Sequence, residues 1–178
     1  RFEEGTGQYA NDSSLYQRNN GTFGATTASA SDDPVWNSTA KFGSFGLTFD
    51  GPNDFVNTTT SLFNQEQGTV EAWFNLVVTP TSDLIYIADL RGGNGGTSSP
   101  FMYFVTGNTL TWETSSAFSL RFGGVASNVW HHVAGTYDYG ADIYKLYVDG
   151  VEVNQTTSAF SSTVLGTHLV IGNRFELP

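Results

Sequence analysis

The chain reads as an all-β protein, two antiparallel sheets packed face to face as a β-sandwich, and three features of the sequence lead there. No stretch carries apolar residues at sustained helical spacing, and no heptad or fixed-period repeat occurs. Strand-sized runs recur from Phe45 onward between clusters of Gly, Asn, Ser, Thr and Asp. The third feature is a hairpin signal: Ile143 to Val148, then Asp149-Gly150, then Val151 to Val153. An Asp-Gly pair accepts positive φ at both central positions, which suits the twist of the flanking strands.

In chain order, residues 5–45 hold few apolar anchors (Leu15, Tyr16, Phe23, Val35 and Trp36), so they read as long loops with one or two short strands. Strands are expected at 46–50, 54–57, 69–78, 84–90, 101–105, 109–114, 117–122, 130–137, 143–148, 151–156 and 168–172. Within 69–78, Val70, Ala72, Phe74 and Leu76 share one side and are assigned to the core, with Glu71, Trp73, Asn75 and Val77 opposite. In 143–148, Leu146 and Val148 oppose Lys145 and Tyr147. Residues 1–178 make a single domain, and one of this size buries roughly 70% of its unfolded surface. It needs no disulfide, so the absence of cysteine does not bear on compartment.

Charged residues make up only 13% of the chain and aromatics 15%, a polar but weakly ionic composition suited to many short strands and turns. With two lysines and a net charge of −10 there is no basic stripe to neutralise phosphates, which excludes nucleic acid and anionic membrane surfaces as expected partners. No apolar run approaches the ~20 residues of a membrane-spanning helix. The sequence opens at Arg1 without a methionine or a signal-like apolar stretch, and so is expected to be a mature product or a fragment.

The segment Trp130-His131-His132-Val133-Ala134-Gly135-Thr136-Tyr137-Asp138, followed by Leu146-Tyr147-Val148-Asp149-Gly150, resembles the centre of a laminin-G-like domain of the concanavalin A-like lectin/glucanase superfamily. The likeness extends to Phe2-Glu3-Glu4-Gly5-Thr6-Gly7, Asp12-Ser13-Ser14, Asn20-Gly21-Thr22, Phe42-Gly43, Leu47-Thr48-Phe49-Asp50-Gly51, Asp54-Phe55-Val56, Thr69-Val70-Glu71-Ala72-Trp73-Phe74 and Val170-Ile171-Gly172-Asn173, in the family's order. It implies a jelly-roll topology. Such domains usually carry a strand ahead of the Phe-Glu-Glu segment and a longer final strand, whereas this sequence stops at Phe175-Glu176-Leu177-Pro178. The chain is therefore expected to be cut from a longer polypeptide, or completed at its sheet edge by a neighbouring domain or subunit.

Catalytic readings find little support. Glycoside hydrolysis needs two carboxyls about 5–9.5 Å apart, yet only Glu3 and Glu4 are near each other among the glutamates, and adjacent strand residues point to opposite faces. There is no cysteine and no Gly-x-Ser-x-Gly elbow. His131 and His132 diverge on a strand, whereas zinc needs converging ligands; one is expected to pack and the other to lie near the rim. The chain is not expected to be an enzyme.

The resemblance also implies one structural calcium ion near the rim. Glu3, Asp12, Asp50 and Asp54 are the candidate ligands, with Glu4, Asp138 and Asp142 beside them, and each has a turn-forming role as its alternative. No other cofactor is expected.

For sugar recognition, which needs an aromatic platform and planar polar partners, the candidates are Trp112, Tyr103, Trp73 and Tyr147, with Asn75, Glu113 and Arg121. Trp73 and Trp130 occupy family motif positions and have scaffold roles as their alternative. Trp112 lies outside those motifs and is expected to carry specificity. The glycine-rich run Arg91 to Ser99 reads as a rim loop.

By resemblance, the function expected is non-catalytic binding of a carbohydrate or glycosylated surface, a lectin-like adhesion module in an extracellular, cell-surface or virion-surface setting. The alternative is a structural or decorating module of a virus particle, fibre or surface layer acting through protein contacts. A glycoside hydrolase is the least favoured reading.

Overall fold

The turn at Asp149 and Gly150 forms as the sequence predicts, with φ of 51° and 80° at the two central residues. It joins two strands of a four-stranded antiparallel sheet. The computed structural model describes residues 2–15, 19–26, 28, 30–31, 33–51, 53–58, 66–81, 84–92, 100–114, 118–157 and 168–173. Among them there is no helix, and none long and apolar enough to cross a membrane.

Among the described residues fourteen strands follow in order: β1 (Tyr9–Ala10), β2 (Gly21–Phe23), β3 (Val35–Asn37), β4 (Gly46–Thr48), β5 (Val56–Thr58), β6 (Gln67–Asn75), β7 (Ile85–Gly92), β8 (Pro100–Val105), β9 (Thr109–Thr114), β10 (Phe118–Phe122), β11 (Trp130–Asp138), β12 (Ile143–Val148), β13 (Val151–Thr157) and β14 (His168–Ile171). The larger sheet runs β1-β2-β5-β14-β7-β8-β9-β10, the smaller β13-β12-β11-β6, and β3 with β4 makes a separate ribbon. Every pairing is antiparallel.

Alternation along the strands decides what lies between the sheets. Val70, Ala72 and Phe74 of β6, Val133 and Tyr137 of β11, and Tyr144, Leu146 and Val148 of β12 meet Met102, Phe104, Leu110, Trp112 and Leu120 of the larger sheet. Each large side chain buried there contributes about 1.5–3 kcal/mol. A one-residue slip would turn all of a strand's inward residues to water, so the register is strongly held. A second core gathers Ala10, Phe23 and Val56 under Trp36, Leu47 and Phe49, which lets the β3–β4 ribbon cover one end of the larger sheet.

Departures from the expected elements are local. Three short strands, not one or two, fall among the described residues of 5–45. The strand expected at 69–78 runs from Gln67 to Asn75; Leu76 stays buried, but Val77 and Val78 turn outward at 65% and 59% exposure. The strand expected at 54–57 begins at Val56, because Asp54 is spent on a turn: its Oδ2 accepts from the amides of Asp50 and Gly51 at 2.7 and 2.8 Å. Residues 93–99 of the predicted rim loop, and 174–178, where the shortened final strand was expected, lie outside the described residues.

Candidate functional site

The outer face of the larger sheet carries a cross-strand row that mixes polar with apolar side chains and is buried at Val170, Asp89 and Phe101. Register places Thr22, Asn57, Val170, Asp89, Phe101, Glu113 and Ser119 side by side on β2, β5, β14, β7, β8, β9 and β10. One step along the strands, Tyr86, Tyr103, Thr111 and Arg121 form a parallel row. A bulge between Tyr86 and Ala88 makes this possible, since it brings Tyr86 and Asp89 to one face although they stand three positions apart, an odd spacing that would otherwise put them on opposite faces.

Glu113 is the centre of this region. Its Oε2 accepts from the Tyr103 hydroxyl at 2.5 Å and from the Ser119 hydroxyl at 2.7 Å. Tyr103 is held rigidly: its ring stacks on Phe101 at 5.2 Å and 16° and on Tyr86 at 5.5 Å and 28°. Burial pushes the Tyr103 phenol well above its ordinary range, and the bond to Glu113 and that carboxylate's charge push the same way, with Arg121 opposing. The phenol therefore stays a donor. The hydroxyl of Thr111, between Tyr103 and Arg121, is buried with no hydrogen-bond partner among the described residues. Ser119 and Arg121 are exposed and Glu113 is half-buried, so the accessible part of the site offers a carboxylate with an arginine on the neighbouring strand. That pairing can accept from one hydroxyl of a polyol and donate to its neighbour.

Of the residues nominated from the sequence, Tyr103, Glu113 and Arg121 are brought together here. Tyr103 departs from its expected part: its ring is 6% exposed, so it positions Glu113 and offers no platform. Trp112 is a correction. Its side chain is fully buried between the sheets, where the indole N–H donates to the Thr136 carbonyl at 3.3 Å. In β9 it shares the inward side with Leu110, and no ligand can stack on it.

Trp73 and Asn75 lie elsewhere, on the outer face of the smaller sheet, so they do not join the Glu113 site. Trp73 is 42% exposed and packs on Phe42 and His132, while Asn75 is half-buried, its Oδ1 without a partner among the described residues. On the same face Tyr147 donates to Glu152 at 3.3 Å and Lys145 bonds Glu152 at 2.8 Å. An open depression of about 350 Å³ between Thr69, Thr136, Asp138 and Lys145 continues this surface.

The histidines divide as expected. His131 turns inward beside Phe74 and pairs with Asp149 at 2.7 Å, whereas His132 faces outward, 3.4 Å from Glu71.

The acids nominated for calcium do not form a cradle. Glu3 accepts from the Ser44 amide at 3.1 Å, Asp12 from the Ser14 amide at 2.8 Å, and Asp54 braces the turn that contains Asp50. Among the described residues no three acids or histidines gather in a way that would hold a metal ion.

Sequence reasoning missed Tyr86, Phe101, Thr111 and Ser119. Phe101 was within reach, two residues from Tyr103 and hence on its face. Ser119 and Tyr86 depend on cross-strand register and on the bulge, which no local pattern displays.

The comparisons agree with this architecture. The binding domain of botulinum neurotoxin serotype D superposes with a TM-score of 0.67 at 16% identity, over 94% of this chain and 42% of that one. The receptor binding domain of botulinum neurotoxin type G gives 0.57 at 14% identity, over 85% and 38%. At such identity the likeness is one of fold, and this chain spans about two-fifths of those domains. No curated protein matches the sequence. A profile of the Laminin_G_3 family matches residues 50–177, most of the chain and nearly all of both sheets. With that match and a two-sheet antiparallel sandwich in place, the chain belongs to this laminin-G-like family of the concanavalin A-like lectin/glucanases superfamily.

Proposed function

We propose that the protein is a non-catalytic carbohydrate-binding module that takes a neutral sugar on the outer face of its larger sheet. The observation that carries this reading is the Tyr103–Glu113–Ser119 arrangement beside Arg121. Two donors hold Glu113 Oε2, leaving Oε1 to accept from a ligand hydroxyl, while the guanidinium donates to an adjacent oxygen. A vicinal diol on a pyranose offers those two groups in one plane. The net charge of −10 favours an uncharged ligand over an acidic one.

Two features support binding without chemistry. Glu113 is already engaged by two hydroxyl donors, and Asp89, the acid nearest it along the cross-strand row, is fully buried behind Phe101. A hydrolase needs a second carboxyl that can reach the scissile bond. The named binding domains that share the fold are compatible with a recognition role, and such a module would act at an extracellular or cell surface.

The test is a glycan array followed by calorimetry on the best neutral ligand, with Arg121→Ala and Glu113→Gln as variants. Binding weakened at least tenfold in both, with unchanged melting temperature for Arg121→Ala, supports the reading. Silence across diverse glycans, or full affinity in both variants, overturns it and leaves the protein-contact module as the better account.

A further inference from the structure

The outer face of the smaller sheet holds a second constellation that the Glu113 site does not use. Phe42, from the segment before β4, and Trp73, from β6, stand edge to face with centroids 5.2 Å apart and planes at 80°. They form two walls of a corner. Both are open to solvent, at 59% and 42% exposure. The Lys41 ammonium sits in that corner, 5.0 Å from the Trp73 centroid and 5.9 Å from that of Phe42. Both distances fall within the ~6 Å over which a ring face attracts a cation. His132 packs on Trp73 at 5.2 Å and 45°, and the exposed Glu71 carboxylate, two residues before Trp73 on the same face, lies 3.4 Å from His132.

We propose that the Trp73–Phe42 corner is a binding site for a quaternary ammonium group of the choline type, with Lys41 as a resident competitor. Perpendicular aromatic faces with a nearby carboxylate match the chemistry of a trimethylammonium group, which spreads its charge over methyl surface and sheds water readily. A lysine ammonium is compact and strongly hydrated, so it holds the same corner more weakly and leaves when a better cation arrives. The protein's negative net charge raises the local concentration of cations at the site. This site lies on the opposite sheet from Glu113 and stands or falls independently of it.

The probe is choline chloride, read by saturation transfer to its N-methyl protons, with 3,3-dimethylbutan-1-ol as the neutral isostere. Saturable binding of choline is expected, tightened roughly two- to fivefold in Lys41→Ala because the internal occupant is gone, and lost in both Trp73→Ala and Phe42→Ala. Sedimentation with phosphatidylcholine vesicles tells whether a bilayer-presented headgroup is taken as well as free choline, and binding in either form supports the site. Folding of each variant is checked by its melting curve, and Phe42→Ala, on a loop, stands in if Trp73→Ala is unstable. Equal binding of the neutral alcohol, undiminished choline binding in both aromatic variants, or no binding by Lys41→Ala of either form of choline would overturn the proposal.

Discussion

The fused ring of Trp112 lies directly against the backbone of Gly135, so closely that a methyl group on that glycine would overlap the indole. The two residues come from facing sheets, β9 and β11, and they set the local spacing of the sandwich. Gly135 is thus a packing requirement within a strand, where glycine otherwise weakens the ladder.

Gly135→Ala is expected to destabilise the fold by about 1–3 kcal/mol through overpacking, and Trp112→Ala by about 3–5 kcal/mol through the cavity it leaves. Denaturant melts measure both. A Gly135→Ala variant as stable as the parent would show that the sheets can separate locally at no cost. Trp112→Phe, which keeps an aromatic in the slot, should fall between the parent and Trp112→Ala.

The Trp112 result also shows how far the sequence could be read. Strand 109–114 alternates Thr109, Thr111 and Glu113 with Leu110 and Trp112, so the pattern that placed Phe74 in the core applied equally to Trp112. Its position outside the family motifs suggested specificity, and burial overrode that. The hairpin, the division of β6 and β12 into two faces and the split of the histidines were legible because they rest on local alternation and turn chemistry. The two- and three-residue strands of the N-terminal part are too short to show a period. The meeting of Tyr103, Glu113 and Ser119 depends on register between strands, and Lys41 and Phe42 reach Trp73 from a distant segment.

Asp54 serves as a turn brace, and this separates it from a calcium ligand. Replacing it by alanine leaves two part-buried amides, those of Asp50 and Gly51, without their acceptor, at a cost of about 0.5–1.5 kcal/mol for each hydrogen bond lost. For a chain of this length that lowers the melting temperature by about 2–4 °C per kcal/mol. The drop should be the same in added calcium and in chelator. A parent protein that loses stability in chelator, with Asp54→Ala insensitive to it, would restore the metal role.

Acid should loosen the β11–β12 corner first. The hydrogen bond to His131 holds the Asp149 carboxyl below its ordinary value of 3.8; desolvation opposes this, and the His132 amide adds to the lowering. A lowered folded value means the contribution is complete above about pH 4 and disappears as pH falls through the folded value. Asp149→Asn keeps a residue suited to positive φ but removes the charge. Its melting temperature should lie below the parent's at pH 6 and converge on it as pH falls towards 3. A constant gap across that range would mean that the carboxylate charge is irrelevant to the pair.

At the alkaline end the tyrosines decide. Burial first, then the neighbouring Tyr139, pushes Tyr137 up to about 12, and burial likewise drives Tyr103 and Tyr144 above their ordinary range, helped by Glu113 in one case and Tyr139 in the other. An acid whose folded value is raised favours the native state fully below its unfolded value of 10.0, and that preference is lost as pH climbs towards the folded value. Absorbance titration near 295 nm should therefore leave at least three of the eight tyrosines silent at pH 10.5, released together when the chain unfolds. Tyr103→Phe should remove one silent phenol and, by freeing Glu113 to swing away from Ser119, weaken sugar binding severalfold while changing stability little. If all eight ionise smoothly around pH 10 with the fold intact, the phenols reach solvent and Tyr103 cannot be the fixed donor that orients Glu113.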